Sequence, residues 1–172
     1  MHRLFLDANV LFSAAYGSSS LSRLWDLARK KKAVLLTSAY ALEEARRNLE
    51  EADQHRRLSE LAREVVLVPE VLPTMPCPIP LPDKDRPVLL AALQANATHF
   101  LTGDRRHFGA YFSQSVGGTL VCTPREYFVL AAQAPASPVH TPSTSEERCA
   151  HSGSSDRKSD TDLPVEGAQP SA

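Results

Sequence analysis

The sequence predicts an α/β domain of three layers, with helices on both faces of a mainly parallel, five-stranded sheet. Three observations carry this. Short runs rich in apolar residues at 4–6, 33–36, 65–68, 99–102 and 119–122 have the length of strands rather than helices. These runs are mostly continuous instead of alternating, as in strands covered on both sides. Amphipathic stretches separate them, and strands that alternate with helices build parallel sheets.

The elements follow in order. Leu4-Phe5-Leu6 is the first strand and stops at Asp7, and a short helix is expected over residues 10–15. Residues 16–20 read as a loop, with Ser20 capping a helix whose Leu21, Leu24, Trp25, Leu27 and Ala28 recur near a 3.6 period. Arg29, Lys30, Lys31 and Lys32 close that helix, where cations meet the negative end of its dipole. After the second strand, residues 33–36, Thr37 or Ser38 caps a helix through Tyr40, Leu42, Ala45 and Leu49. Another helix is expected near residues 54–63, then a third strand at 65–68. Pro69, Pro73, Pro76, Pro78, Pro80 and Pro82 exclude regular structure and predict an extended loop over residues 69–82. Arg86-Pro87 opens the next helix, since a first-turn proline lacks only an N–H that has no partner inside the helix. The fourth strand is residues 99–102, a helical turn is expected over 106–112, and the fifth strand is 119–122. Pro124 begins a last helix through Tyr127, Phe128 and Leu130.

Composition sets the outer limits. A chain of 172 residues, 42% hydrophobic and 23% charged with net charge −1, fits one globular domain with a tail. Residues 1–132 carry a formal +2 and residues 133–172 a formal −3, too slight a basic excess to identify a nucleic-acid partner. The second segment holds no aromatic residue and much serine, threonine and proline, so it is expected to be a disordered acidic tail. The folded domain is expected over residues 1–132. Cys77, Cys122 and Cys149 show neither metal-ligand spacing nor a disulfide framework, which points to a reducing, cytoplasmic setting. Asp7 and Asn9 break the apolar run that a signal peptide needs, and no run approaches a membrane span, so no membrane partner is expected.

The chemistry lies in the acids. Asp7 and Asp104 each follow a strand, and in a doubly wound sheet strands one and four can be neighbours where the strand order reverses. Two close carboxylates repel unless protonated or bridged by a cation, and hard divalent ions favour oxygen ligands. A metal site for phosphodiester chemistry follows. Asp85, at the start of a helix, is a third candidate beside Asp83, and either Glu43 or Glu44 could supply a fourth carboxylate. Asn9 and Thr102 are placed to orient the carboxylates. Arg105, Arg106 and His107 follow Asp104 and could meet phosphates, with Lys84, Arg86, Arg46 and Arg47 as a wider basic rim. His99, in a strand, reads as a core residue.

The segments LFLDANVLFSA, SAYALEEARRNL, DKDRPVLLAALQANATHFLTGDRRHF and TPREYF together resemble the PIN-domain family of nucleases, over about residues 3–130. The resemblance implies a PIN-like α/β/α fold with Asp7, Glu44, Asp85 and Asp104 as an acidic quartet. Glu44 is chosen because the family's glutamate tends to precede a small residue and a basic pair, as Ala45-Arg46-Arg47 does here. It implies an endoribonuclease dependent on Mg²⁺ or Mn²⁺, acting on RNA. Many bacterial relatives are toxins held by an antitoxin, and homodimers are usual, so both partners are implied. Two rivals stand beside this reading. One is a PIN scaffold of weak turnover that acts by binding RNA or protein. The other is a phosphatase with Asp7 as nucleophile, although such enzymes want a second Asp where Asn9 stands.

Overall fold

The computed structural model describes residues 1–71 and 75–133. The tail expected from Gln133 onward therefore lies outside the described residues, apart from Gln133 itself, which ends the last helix. The sheet is built from β1 (His2–Leu6), β2 (Ala33–Ser38), β3 (Val66–Val68), β4 (His99–Leu101), β5 (Gln114–Val116) and β6 (Thr119–Cys122). Their order is β3-β2-β1-β4-β6-β5. All neighbouring pairs are parallel except β5 with β6. β1 and β4 are adjacent, so the chain reverses its direction of strand addition between them.

One strand is added to the expected five. Gln114–Val116 is short and polar and carries no apolar periodicity that would mark it as a strand. It forms because Gly117 (φ 56°) and Gly118 (φ 88°) turn the chain back onto β6, pairing Val116 with Thr119. Positive φ at both central residues is the geometry of a tight hairpin turn, which glycine adopts without steric cost.

Seven α-helices lie among the described residues: α1 (Ala8–Ala15), α2 (Ser19–Arg29), α3 (Ala39–Arg47), α4 (Ala52–Ala62), α5 (Arg86–Gln94), α6 (Arg105–Phe108) and α7 (Pro124–Gln133). α1, α2, α4 and α6 each begin one or two residues earlier than the residue pattern suggested. α1 starts directly after Asp7, whose side chain accepts a hydrogen bond from the Ala8 N–H. α2 starts after Ser18 rather than Ser20, since Ser18 is the last residue with extended backbone. No helix among the described residues is long and apolar enough to cross a membrane.

The core explains the layering. Leu4, Phe5 and Leu6 are all fully buried, and successive strand residues point to opposite faces, so β1 is covered on both. Phe100 of β4 stacks between Phe5, at 5.8 Å, and Phe108 of α6, at 5.0 Å. That stack links the two central strands to the helix that follows Asp104. Replacing Phe100 with Ala removes the middle ring, and we expect urea unfolding to show a loss of about 3–5 kcal/mol. A loss below about 1 kcal/mol would contradict the packing described.

Candidate active site

The carboxyl ends of β1 and β4 set the site. Asp7 follows β1, and its N–H donates to the Leu101 carbonyl at 3.1 Å, continuing the strand pairing. The Asp7 side chain is only 7% exposed. Its Oδ1 accepts from the Ala8 N–H at 2.7 Å. Its Oδ2 accepts from the Asn9 amide and from the Thr102 hydroxyl, each at 2.6 Å. Thr102 Oγ1 in turn accepts from the Asp104 N–H at 3.0 Å, and Asn9 Oδ1 accepts from the Gly103 N–H at 2.7 Å. Residues 102–104 are thus tied to residues 7–9 by side chains from both strands. A Cβ at Gly103 would lie 3.2 Å from Asn9 Oδ1, which favours the bare glycine there.

Burial is the largest influence on Asp7 and raises its pKa to about 6. The Thr102 and Ala8 hydrogen bonds oppose this, while the charges of Glu44 and Asp85 add to it.

Asp104 caps α6: its Oδ1 accepts from the N–H groups of Arg106 (2.9 Å) and His107 (3.2 Å). Oδ2 is left to face the cleft, where it lies 2.6 Å from His107 Nδ1. Burial pushes the Asp104 pKa upward, but the hydrogen bonds from His107 and Arg106 outweigh it and the net shift is downward. Asp85 occupies the capping position of α5, yet its side chain makes no capping hydrogen bond. Its Oδ2 is buried and has no hydrogen-bond partner, although His107 Nδ1 is 3.0 Å away. A ring nitrogen carries one proton at most, and here it is directed to Asp104. Burial, followed by the charge of Asp104, raises the Asp85 pKa, with His107 and Lys84 opposing.

Asp7, Asn9, Glu44, Asp85 and Asp104 line one cleft of about 570 Å³, together with Phe12, Ser13, Asn48 and Lys84. The close alternatives separate here. Asp83 is 98% exposed at its side chain and pairs with Arg86 at 3.3 Å, while Asp85 faces the cleft. Glu43 pairs with Arg46 and Arg47 on the outer side of α3 and does not line the cleft, whereas Glu44 does. Arg105 and Arg106 are exposed beside Asp104, but the His107 ring is turned inward onto two carboxylates. The RRH run reads as three surface cations, and an i, i+3 spacing from Asp104 is the signal that places His107 over it. His99 lies at the opposite end of β4, half-buried beside Thr98, His2 and Tyr127. Asn48, whose amide donates to the Glu44 carbonyl, carries no sequence signal of its place in the wall.

The donor set fits a hard divalent cation. Oxygen atoms of Asp85 and Asp104 and a nitrogen of His107 lie within 4.8 Å of one another. The unpartnered Asp85 Oδ2 is a buried acceptor that a cation would satisfy.

A carboxylate-lined cleft at the carboxyl ends of a parallel sheet defines an α/β domain equipped for cation-assisted chemistry. The family model described as a PIN domain matches residues 3–106, and the chain belongs to that family, whose members are usually metal-dependent nucleases. No curated protein matches the chain. Asn9 stands beside Asp7 as a brace, its amide donating to Asp7 Oδ2.

A buried carboxyl with a raised pKa has a stability signature. Folded Asp7 keeps its proton up to about pH 6, whereas its ordinary value is 3.8. The folded state therefore binds the extra proton between those values, and the metal-free protein loses stability as pH rises through them. We expect Asp7→Asn to gain on the wild type by about 2–3 kcal/mol between pH 4 and pH 7.5, read from urea unfolding in EDTA. A difference that stays flat over this range would mean that Asp7 titrates normally.

Proposed function

We propose that this chain is an endoribonuclease that uses Mg²⁺ or Mn²⁺, with Asp7, Glu44, Asp85 and Asp104 as the acidic residues of its site. The convergence of these four carboxylates in one cleft is the observation that carries the reading. Uncompensated, such a cleft would repel a phosphodiester, so substrate binding there calls for a cation. When bound, the cation supplies charge neutralisation at the phosphodiester and an acidified water as nucleophile.

The protein's own groups have distinct tasks. Asp7, fixed by Ala8, Asn9 and Thr102, holds its oxygens in one orientation before any ligand arrives. Asp104 is fixed by capping α6 and presents Oδ2. Glu44 and Asp85 close the cleft from α3 and the start of α5. Lys84 lines the cleft and Arg105 and Arg106 are exposed next to Asp104 in sequence, and the proposal gives these three cations the task of holding flanking phosphates. An adjoining groove of about 800 Å³ shares Asn9, Ser13 and Gly103 with the cleft and includes Phe128, over which Arg23 sits at 4.4 Å. Such a surface suits the unstacked bases of single-stranded RNA.

Membership of a toxin–antitoxin pair and a homodimer extend this proposal on family resemblance, and a cytoplasmic location extends it on cysteine usage. Residues 1–132 are proposed as the working domain, with the remainder as a tail.

The test is an RNA-cleavage time course with purified protein in Mg²⁺, in Mn²⁺ and in EDTA. We expect metal-dependent cleavage of single-stranded RNA, little action on phosphomonoesters, and at least about 100-fold less activity in Asp7→Asn and Asp104→Asn. Thr102→Val, which keeps the fold but loses the brace on Asp7, should lose about 10–100-fold. A folded wild type that binds RNA without cutting it would replace the nuclease reading with the scaffold reading. Growth arrest on expression, absent with Asp7→Asn, is the outcome expected of a toxin.

A further inference from the structure

We propose that His107 is itself a ligand, through Nδ1, of the ion held by Asp85 and Asp104, and that it biases the site toward Mn²⁺ over Mg²⁺. This rests on the metal-dependent reading of the same cleft.

The geometry begins with Asp104. Capping uses its Oδ1, so the carboxylate cannot rotate freely, and Oδ2 is left to meet the His107 ring. His107 stands one helical turn on, and its backbone N–H is one of the two bound by that cap. The next residue, Phe108, is buried and packed on Phe100, which fixes the rotation of α6. The imidazole is consequently held against two of the cleft's carboxylates, with Nδ1 2.6 Å from Asp104 Oδ2 and 3.0 Å from Asp85 Oδ2. Ligands about 2.1 Å from an octahedral ion and at right angles to each other are about 3 Å apart. Nδ1 has that separation from Asp85 Oδ2, and its shorter 2.6 Å contact with Asp104 Oδ2 is a hydrogen bond that would open by about 0.4 Å when an ion replaces the shared proton.

The alternative is that His107 is only a hydrogen-bond donor to Asp104. That accounts for one carboxylate. It leaves the buried Asp85 Oδ2 beside the ring and unpartnered, which is costly in a site with no cation. A cation accepting lone pairs from all three atoms satisfies Asp85, Asp104 and the ring together, with the imidazole proton on Nε2. Mg²⁺ prefers oxygen donors and holds its waters tightly, whereas imidazole nitrogen suits transition metals. A nitrogen in the shell thus favours Mn²⁺.

The experiment uses untagged, full-length protein and Mn²⁺ as the probe. Bound Mn²⁺ is counted by loss of the free-ion EPR signal, and pulsed EPR reads ¹⁴N coupling at the bound ion. The wild type should bind Mn²⁺ with clear nitrogen coupling. His107→Gln, shown folded by circular dichroism, should lose the coupling and bind Mn²⁺ about 10-fold more weakly. Its affinity for Mg²⁺, measured by competition, should change by less than that.

Bound Mn²⁺ without nitrogen coupling in the wild type overturns the role of His107 and leaves the metal reading standing. Coupling that persists in His107→Gln also overturns it, because the nitrogen would then come from elsewhere. If the wild type binds no Mn²⁺, the metal reading fails and this inference fails with it. The wild-type spectrum decides without the variant, so a misfolded His107→Gln would not shield the proposal.

Discussion

The hydrogen bond from Thr102 to Asp7 Oδ2, at 2.6 Å, joins two segments 95 residues apart. It is possible because β1 and β4 run parallel in adjacent positions, with Leu6 opposite Leu101. Strand pairing fixes the backbones, and the threonine hydroxyl carries that register one residue further, into side chains. The same oxygen of Thr102 receives the Asp104 N–H, so both acids are referred to one atom. Asn9 repeats the arrangement from the first turn of α1 by binding Asp7 and Gly103 together. The part of the cleft around Asp7 and Asp104 is therefore tied directly to the centre of the sheet.

That attachment has an electrostatic cost. Burial strips Asp7 of hydration, the charges of Glu44 and Asp85 add to this, and the carboxyl is driven toward its neutral form in spite of its hydrogen bonds. Asp104 escapes this by capping a helix, while Asp85 has neither a cap nor a hydrogen bond to Oδ2. Acids differing this much in support, placed together, are poorly explained as contributors to stability. Functional constellations are commonly held at the expense of fold stability, and the unbalanced charge here has that character.

The strand pattern of the fold was legible because buried parallel strands leave continuous apolar runs, as at Leu4–Leu6. Gln114–Val116 was not legible, since its pairing depends on the Gly117-Gly118 turn and on β6 rather than on its own composition. At the cleft, Asp7 and Asp104 could be singled out because each ends a strand. The choice between Asp83 and Asp85 needed the turn before α5, which sends one side chain to solvent and the other inward. Glu43 and Glu44 lie comparably far from the apolar stripe of α3, so only the neighbouring elements separate them. His107 was grouped with Arg105 and Arg106 as a phosphate contact because the burial of Phe108 against β4, which accompanies the inward turn of the ring, is a tertiary fact.

The order β3-β2-β1-β4-β6-β5 also governs when the cleft can exist. β1 is made first and accepts β2 as soon as the chain has turned once, but its other edge waits for β4. Nothing made before residue 99 can supply the Thr102 brace or Asp104. A chain emerging from the ribosome therefore carries Asp7 for most of the domain's synthesis, joined later by Glu44 and then Asp85, without an assembled centre. Assembly of the cleft coincides with closure of the sheet's interior, so this topology itself delays competence until the fold is nearly complete.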